Sequence, residues 1–175
     1  MGAASQGMHA VTLEQVIRAS GPLLIRFLEG FGDANATAQA PGLPNHAVWT
    51  LGHCALTMHK LGRAIDGGAL PATDFAEGHG DPELFDTALV CFASVPLIDA
   101  LRYPSMARAQ VVFEAAIDRL ARATASADDL LAPINWHGVG IPAGQLVMRV
   151  AFHNGCHAGQ LTDLRRALGF APVIN

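Results

Sequence analysis

The run PAGQLVMRVAFHNGCHAGQLTDLRRALG, Pro142–Gly169, decides how this chain is read. Leu146, Val150, His153, His157, Leu161, Leu164 and Leu168 recur at spacings of three and four, the period of one helical face. Proline opens the run and glycine closes it, the order helix ends favour. The spacing predicts a helix over 142–168 whose stripe faces a core. Two imidazoles interrupt that stripe. His153 and His157 are four apart, so both rings project from one face. An unpaired polar group in a core costs several kcal/mol. A divalent cation would satisfy both rings, with Zn–N bonds of about 2.0–2.1 Å.

Three more helices follow from the same period. Leu13, Ile17, Ser20, Leu24, Phe27 and Phe31 mark a helix over 12–31, with Thr12 and Gln15 as a capping box and Pro22 kinking or splitting it near Gly21. Asn45 is a candidate N-cap for a helix over 46–66, which Gly67-Gly68 stops. Pro104-Ser105 opens a helix over 106–125 with the stripe Met106, Ala109, Phe113, Ile117, Leu120 and Thr124. No alternation is sustained enough for a sheet. The expected fold is an all-α four-helix bundle, one domain over 1–175. The 67–105 connection, with room for a short helix over 82–94, is long enough to cross the bundle and let the second and third helices run parallel.

Composition narrows the function. The 175 residues are 51% hydrophobic and only 15% charged, with a net charge of −4, against about 25% charged residues in an ordinary domain. Lys60 is the only lysine. Nucleic-acid binding, which needs a basic face, is excluded, as is a basic amphipathic membrane helix. No stretch reaches the roughly 20 apolar residues of a membrane span. Met1–Gln6 carries no secretory pattern, and the expected location is cytoplasmic. Cys54, Cys91 and Cys156 are too widely spaced for a disulfide framework and are expected as buried free thiols.

Eight histidines stand out in so short a chain. A catalytic metal site takes three protein ligands and keeps a position open. His53 is the candidate third ligand, on an apolar face of the 46–66 helix beside Trp49. His46 shares that face but lies about 10.5 Å away along the axis, too far to join the same ion, and is expected as a hydrogen-bonded core residue. His9, His79 and His137 are expected in solvent, and His59 as exposed. Gln160 lines the face of His153 and His157, where it would orient a ligand; Trp49 and Gln160 are the candidate cofactor contacts. Gly155 and Gly159 suggest tight helix packing. Arg165 and Arg166 suit the helix dipole in the last turn. The HExxH pattern of zinc proteases is excluded because Asn154 follows His153. Carboxylate-bridged di-iron bundles are excluded because no Glu-x-x-His occurs.

At Asn45–His53, at His153–Leu161 with Leu164–Gly169, and at Tyr103-Pro104-Ser105, the chain resembles the DinB-like family of metal-binding four-helix bundles. The resemblance implies an up-down-down-up bundle and a metal, often zinc or nickel, on His53, His153 and His157. It also implies a homodimer and, in some relatives, S-transferase or maleylpyruvate isomerase activity with a low-molecular-weight thiol. Three functions stay open at this point: a metal-dependent enzyme acting on a small molecule, a non-catalytic metal or small-ligand binding bundle, and a structural dimerisation partner.

Overall fold

The computed structural model describes residues 3–78 and 80–173; His79, expected in solvent, lies outside them. Helices α1 (Ala3–Ala19), α2 (Pro22–Arg26), α3 (Ala47–Asp66), α4 (Met106–Ala125) and α5 (Ala143–Ala167) make up most of the described chain. α1 and α3 each pack on both α4 and α5, and α2 packs on α5. The fold is mostly helical, as the stripes predict. Ile17, Leu24, Leu51, Met58, Phe113, Leu120, Leu146, Leu161 and Leu164 are fully or almost fully buried between the helices.

The ends are set by local chemistry. Ser105 Oγ accepts from Arg108 N at 3.2 Å and caps α4. Gly67, at φ 75°, ends α3 in the left-handed conformation that costs glycine least. One loop holds the first turns of α3 and α4: Val48 N donates to Ala36 O at 3.2 Å, and Met106 N donates to Asp33 Oδ1 at 2.7 Å. Near the far end of α3, Arg119 Nη2 of α4 donates to Asp66 Oδ1 at 2.7 Å. The Arg119 guanidinium holds the Asp66 carboxyl below its ordinary range.

Several expectations are corrected. The 12–31 helix begins at Ala3, and Thr12 is not its cap: its hydroxyl donates back to Met8 O at 2.9 Å from mid-helix. As expected, Pro22 splits it, becoming the first residue of α2. The cap of α3 is His46 rather than Asn45. No helix forms over 82–94. The Asp86 carboxylate accepts from Ala88 N at 2.9 Å, giving the backbone a turn in place of a helix. Two small sheets are present among the described residues. β1 (Phe75–Ala76) pairs in parallel with β2 (Phe85–Asp86), and β3 (Pro133–Trp136) pairs antiparallel with β4 (Val139–Pro142). Strands of two and four residues are too short for alternation to reveal. His137 and Gly138, at φ 52° and 84°, form the tight turn of that hairpin.

Burial corrects others. Only Cys54 is buried; Cys91 is half-buried and Cys156 exposed. His59 is buried, because α3 is enclosed on nearly every side. Added Cβ atoms on Gly155 and Gly159 would meet nothing within 4 Å, so tight packing does not explain these glycines. Arg165 is buried, and the helix dipole is not all that holds it. Its guanidinium donates to the carbonyls of Glu29 and, at 2.7 Å, Ala171, and its Cζ lies 5.4 Å from the Phe170 ring centroid. It ties α5 to the turn after α2. No described helix is long and apolar enough to cross a membrane.

Candidate metal centre

α3 and α5 bring His53, His153 and His157 together. His153 Nε2 lies 3.0 Å from His53 Nε2 and 3.2 Å from His157 Nε2. One ligating nitrogen from each ring lies within 4.8 Å of the other two. His53 and His157 are buried and His153 half-buried. Among the described residues no Cys, Asp or Glu joins the group.

The 86–97 part of the long connection fixes the α3 side of the site through backbone carbonyls. His53 Nδ1 sits 3.0 Å from Val90 O and donates its N–H there, which leaves the Nε2 lone pair facing the other two imidazoles. Trp49 stacks on His53, ring centroids 4.5 Å apart and planes 8° from parallel. Its indole N–H donates to Leu89 O at 2.8 Å and Ser94 Oγ at 3.0 Å. His46 accepts from Trp49 N on Nδ1 at 3.2 Å, so its Nε2 carries the proton and donates to Leu97 O at 2.9 Å. His46 is therefore the hydrogen-bonded core histidine its isolation suggested. The carbonyls of Leu89, Val90 and Leu97 were not foreseeable from residue types, since any residue carries one.

On the α5 side, Asn154 is fully buried, and its Nδ2 donates to Ser20 Oγ at 3.0 Å. Gln160 sits at the rim, exposed, with its Oε1 accepting from Asn45 Nδ2 at 3.1 Å. The sequence missed this pair because it assigned Asn45 to the helix cap.

Burial holds all three rings neutral. It lowers His157 to about 3, helped by the nearness of His153 and His53. It lowers His153 to about 4, helped by His53. It lowers His53 too, against the carbonyls of Val90 and Cys91. Neutral imidazoles are the ligating form.

Hydrogen bonding alone satisfies this arrangement poorly. His53 Nε2 is an acceptor, so one proton on His153 Nε2 has to serve both it and His157 Nε2, and a single well-formed hydrogen bond is available for two close contacts. Two nitrogens on one tetrahedral zinc stand about 3.3 Å apart, from bonds of about 2.05 Å. The observed 3.0 and 3.2 Å fit that spacing with a small adjustment. The cluster is compatible with a metal-binding protein.

A family model described as the DinB superfamily matches residues 17–161. That span includes α2, α3, α4 and all three histidines. No curated protein and no solved structure gives a significant match.

Proposed function

The chain belongs to the DinB superfamily, and we propose that it is a metal-dependent enzyme acting on a small molecule, a low-molecular-weight-thiol S-transferase or isomerase, with a divalent ion on His53, His153 and His157. The observation that carries this reading is the convergence of three neutral imidazoles through nitrogens 3.0 and 3.2 Å apart. Zinc or nickel suits a three-imidazole site. Such an ion would supply Lewis acidity, keeping a thiol or water deprotonated near neutral pH.

The chain's own residues bind, orient and exclude water. Val90 O fixes the His53 tautomer, Trp49 walls one side of His53, and Asn45 holds Gln160 at the rim, where it would orient a thiol cofactor or substrate. A second reading, a non-catalytic metal or small-ligand binding homodimer, is favoured by the lack of a carboxylate beside the three histidines among the described residues.

The up-down-down-up topology belongs to the same reading. It is supported by the shared loop at the first turns of α3 and α4 and by the Arg119–Asp66 pair near the far end of α3. A homodimer is supported by exposed apolar side chains in the connection: Phe92, Val95, Ile98 and Leu101 are 72–80% exposed. A cytoplasmic location is supported by the three cysteines, all free.

Metal content tests the central claim. Purified protein should carry about one divalent ion per chain, and the His153→Ala variant should lose it. Wild-type protein that stays metal-free after purification in metal-replete buffer overturns both metal-based readings. With metal present, conjugation of an electrophile by several low-molecular-weight thiols separates them: thiol binding without turnover favours the second.

A further inference from the structure

α3 carries a second face that the metal centre does not use. Leu56, His59, Lys60 and Arg63 follow the i, i+3, i+4, i+7 period and line a cavity of about 530 Å³ between α3 and the long connection, closed across by Leu70 and Cys91. None of the three clustered histidines lines it. His59 stands about 9 Å along the helix axis from His53. The volume lies within the roughly 300–1,000 Å³ of small-molecule sites.

We propose that this cavity is a separate binding site for a small organic anion, one with a carboxylate head and an apolar body. Lys60 and Arg63 are both exposed at it, and among the described residues neither side chain forms an ion pair or hydrogen bond. Other cations are committed: Arg119, near the same end of α3, pairs with Asp66, and Arg108 pairs with Asp74 at 2.8 Å. Glu77 is the single carboxylate on the lining, against two free cations. A guanidinium presents a planar fork that matches a carboxylate. Leu56 and Leu70 supply an apolar wall. His59, 3% exposed, lines the cavity with its ring while both ring nitrogens are shut off from it, so it reports a ligand's presence without contacting the anionic head. The site stands independently of the metal reading.

The test titrates hexanoate and its neutral isostere hexanamide into the full chain. Calorimetry gives affinity, and the ring signals of His59 in histidine-labelled protein report location. Hexanoate should bind saturably, shift the His59 signals and bind His153→Ala as well as wild type. Hexanamide should bind about tenfold more weakly or worse, the loss of a charge-assisted contact. The Lys60→Gln/Arg63→Gln double variant should lose hexanoate affinity to a similar degree with an unchanged melting temperature; Lys60→Gln alone serves if the double variant folds poorly. Absence of saturable hexanoate binding, equal binding of hexanamide, or unchanged affinity in the lysine and arginine variants overturns the proposal. So does loss of binding in His153→Ala, which would put the anion at the three-histidine cluster.

Discussion

Replacing His59 with leucine should stabilise the protein, and the gain should grow as the solution is acidified. At neutral pH the variant removes two buried ring nitrogens that have no partner among the described residues. Each such group costs about 1–3 kcal/mol. A hydrophobic swap of similar volume costs less than about 1.5 kcal/mol. For two nitrogens the balance is a gain of at least about 0.5 kcal/mol. Acidification adds to it through linkage. Burial lowers His59 from 6.5 to about 4, with Asp74 opposing and Arg119 assisting. Between those values the unfolded chain binds a proton that the folded chain refuses, so wild-type stability is full above about pH 6.5 and falls towards pH 4. From pH 7 to pH 5 this one group withdraws about 2 kcal/mol from the wild type, and the variant has no such group. Urea denaturation of both proteins at pH 7 and pH 5 reads the difference directly, because every other titrating group cancels. An advantage of the same size at both pH values would refute the neutral, buried state of His59. A variant less stable than wild type at both would refute the claim that its nitrogens are unpaired.

Two further outcomes follow from packing and exposure. Gly52→Ala should lose about 1–3 kcal/mol through overpacking, because the new Cβ would lie 2.5 Å from Cε1 of the fully buried Phe85. Gly155→Ala, which meets open space, should gain up to about 1 kcal/mol from helix propensity; thermal melts that rank the two variants in the opposite order would refute the packing described. Sedimentation equilibrium at micromolar concentration should return twice the chain mass, and a monomer there would remove the homodimer from the proposed function.

The sequence showed best where side-chain identity carries the information. The helix expected over 106–125 begins at Met106 and ends at Ala125, because a clean apolar stripe and a serine cap specify it. The three histidines were legible because polar rings interrupted apolar stripes. What stayed hidden was carried by the backbone or by crowding. Thr12 looked like a cap because its residue type suits one, but the Ala-rich turns before it continue the helix. His59 looked exposed because it lies off the stripe of His53, while the helix is enclosed by α4, α5 and the long connection. Arg165 was read as a complement to the helix dipole because a cation near a helix end has that easy explanation, while the carbonyls that hold it belong to Glu29 and Ala171, outside α5. The 67–105 connection has no period, and its influence on the site runs through carbonyl groups.

That last feature bears on how this protein can diverge. Leu89, Val90 and Leu97 hold Trp49, His53 and His46 by oxygens that every amino acid possesses. Exposed side chains of the segment, such as Phe92 and Val95, can therefore drift while the histidine geometry stays fixed, whereas Ser94, which accepts from Trp49, and the buried Val90 cannot. The segment is permissive to such substitution and intolerant of changed length. A single-residue deletion between Val90 and Leu97 would break the spacing of these acceptors, so the site depends here on length more than on letters.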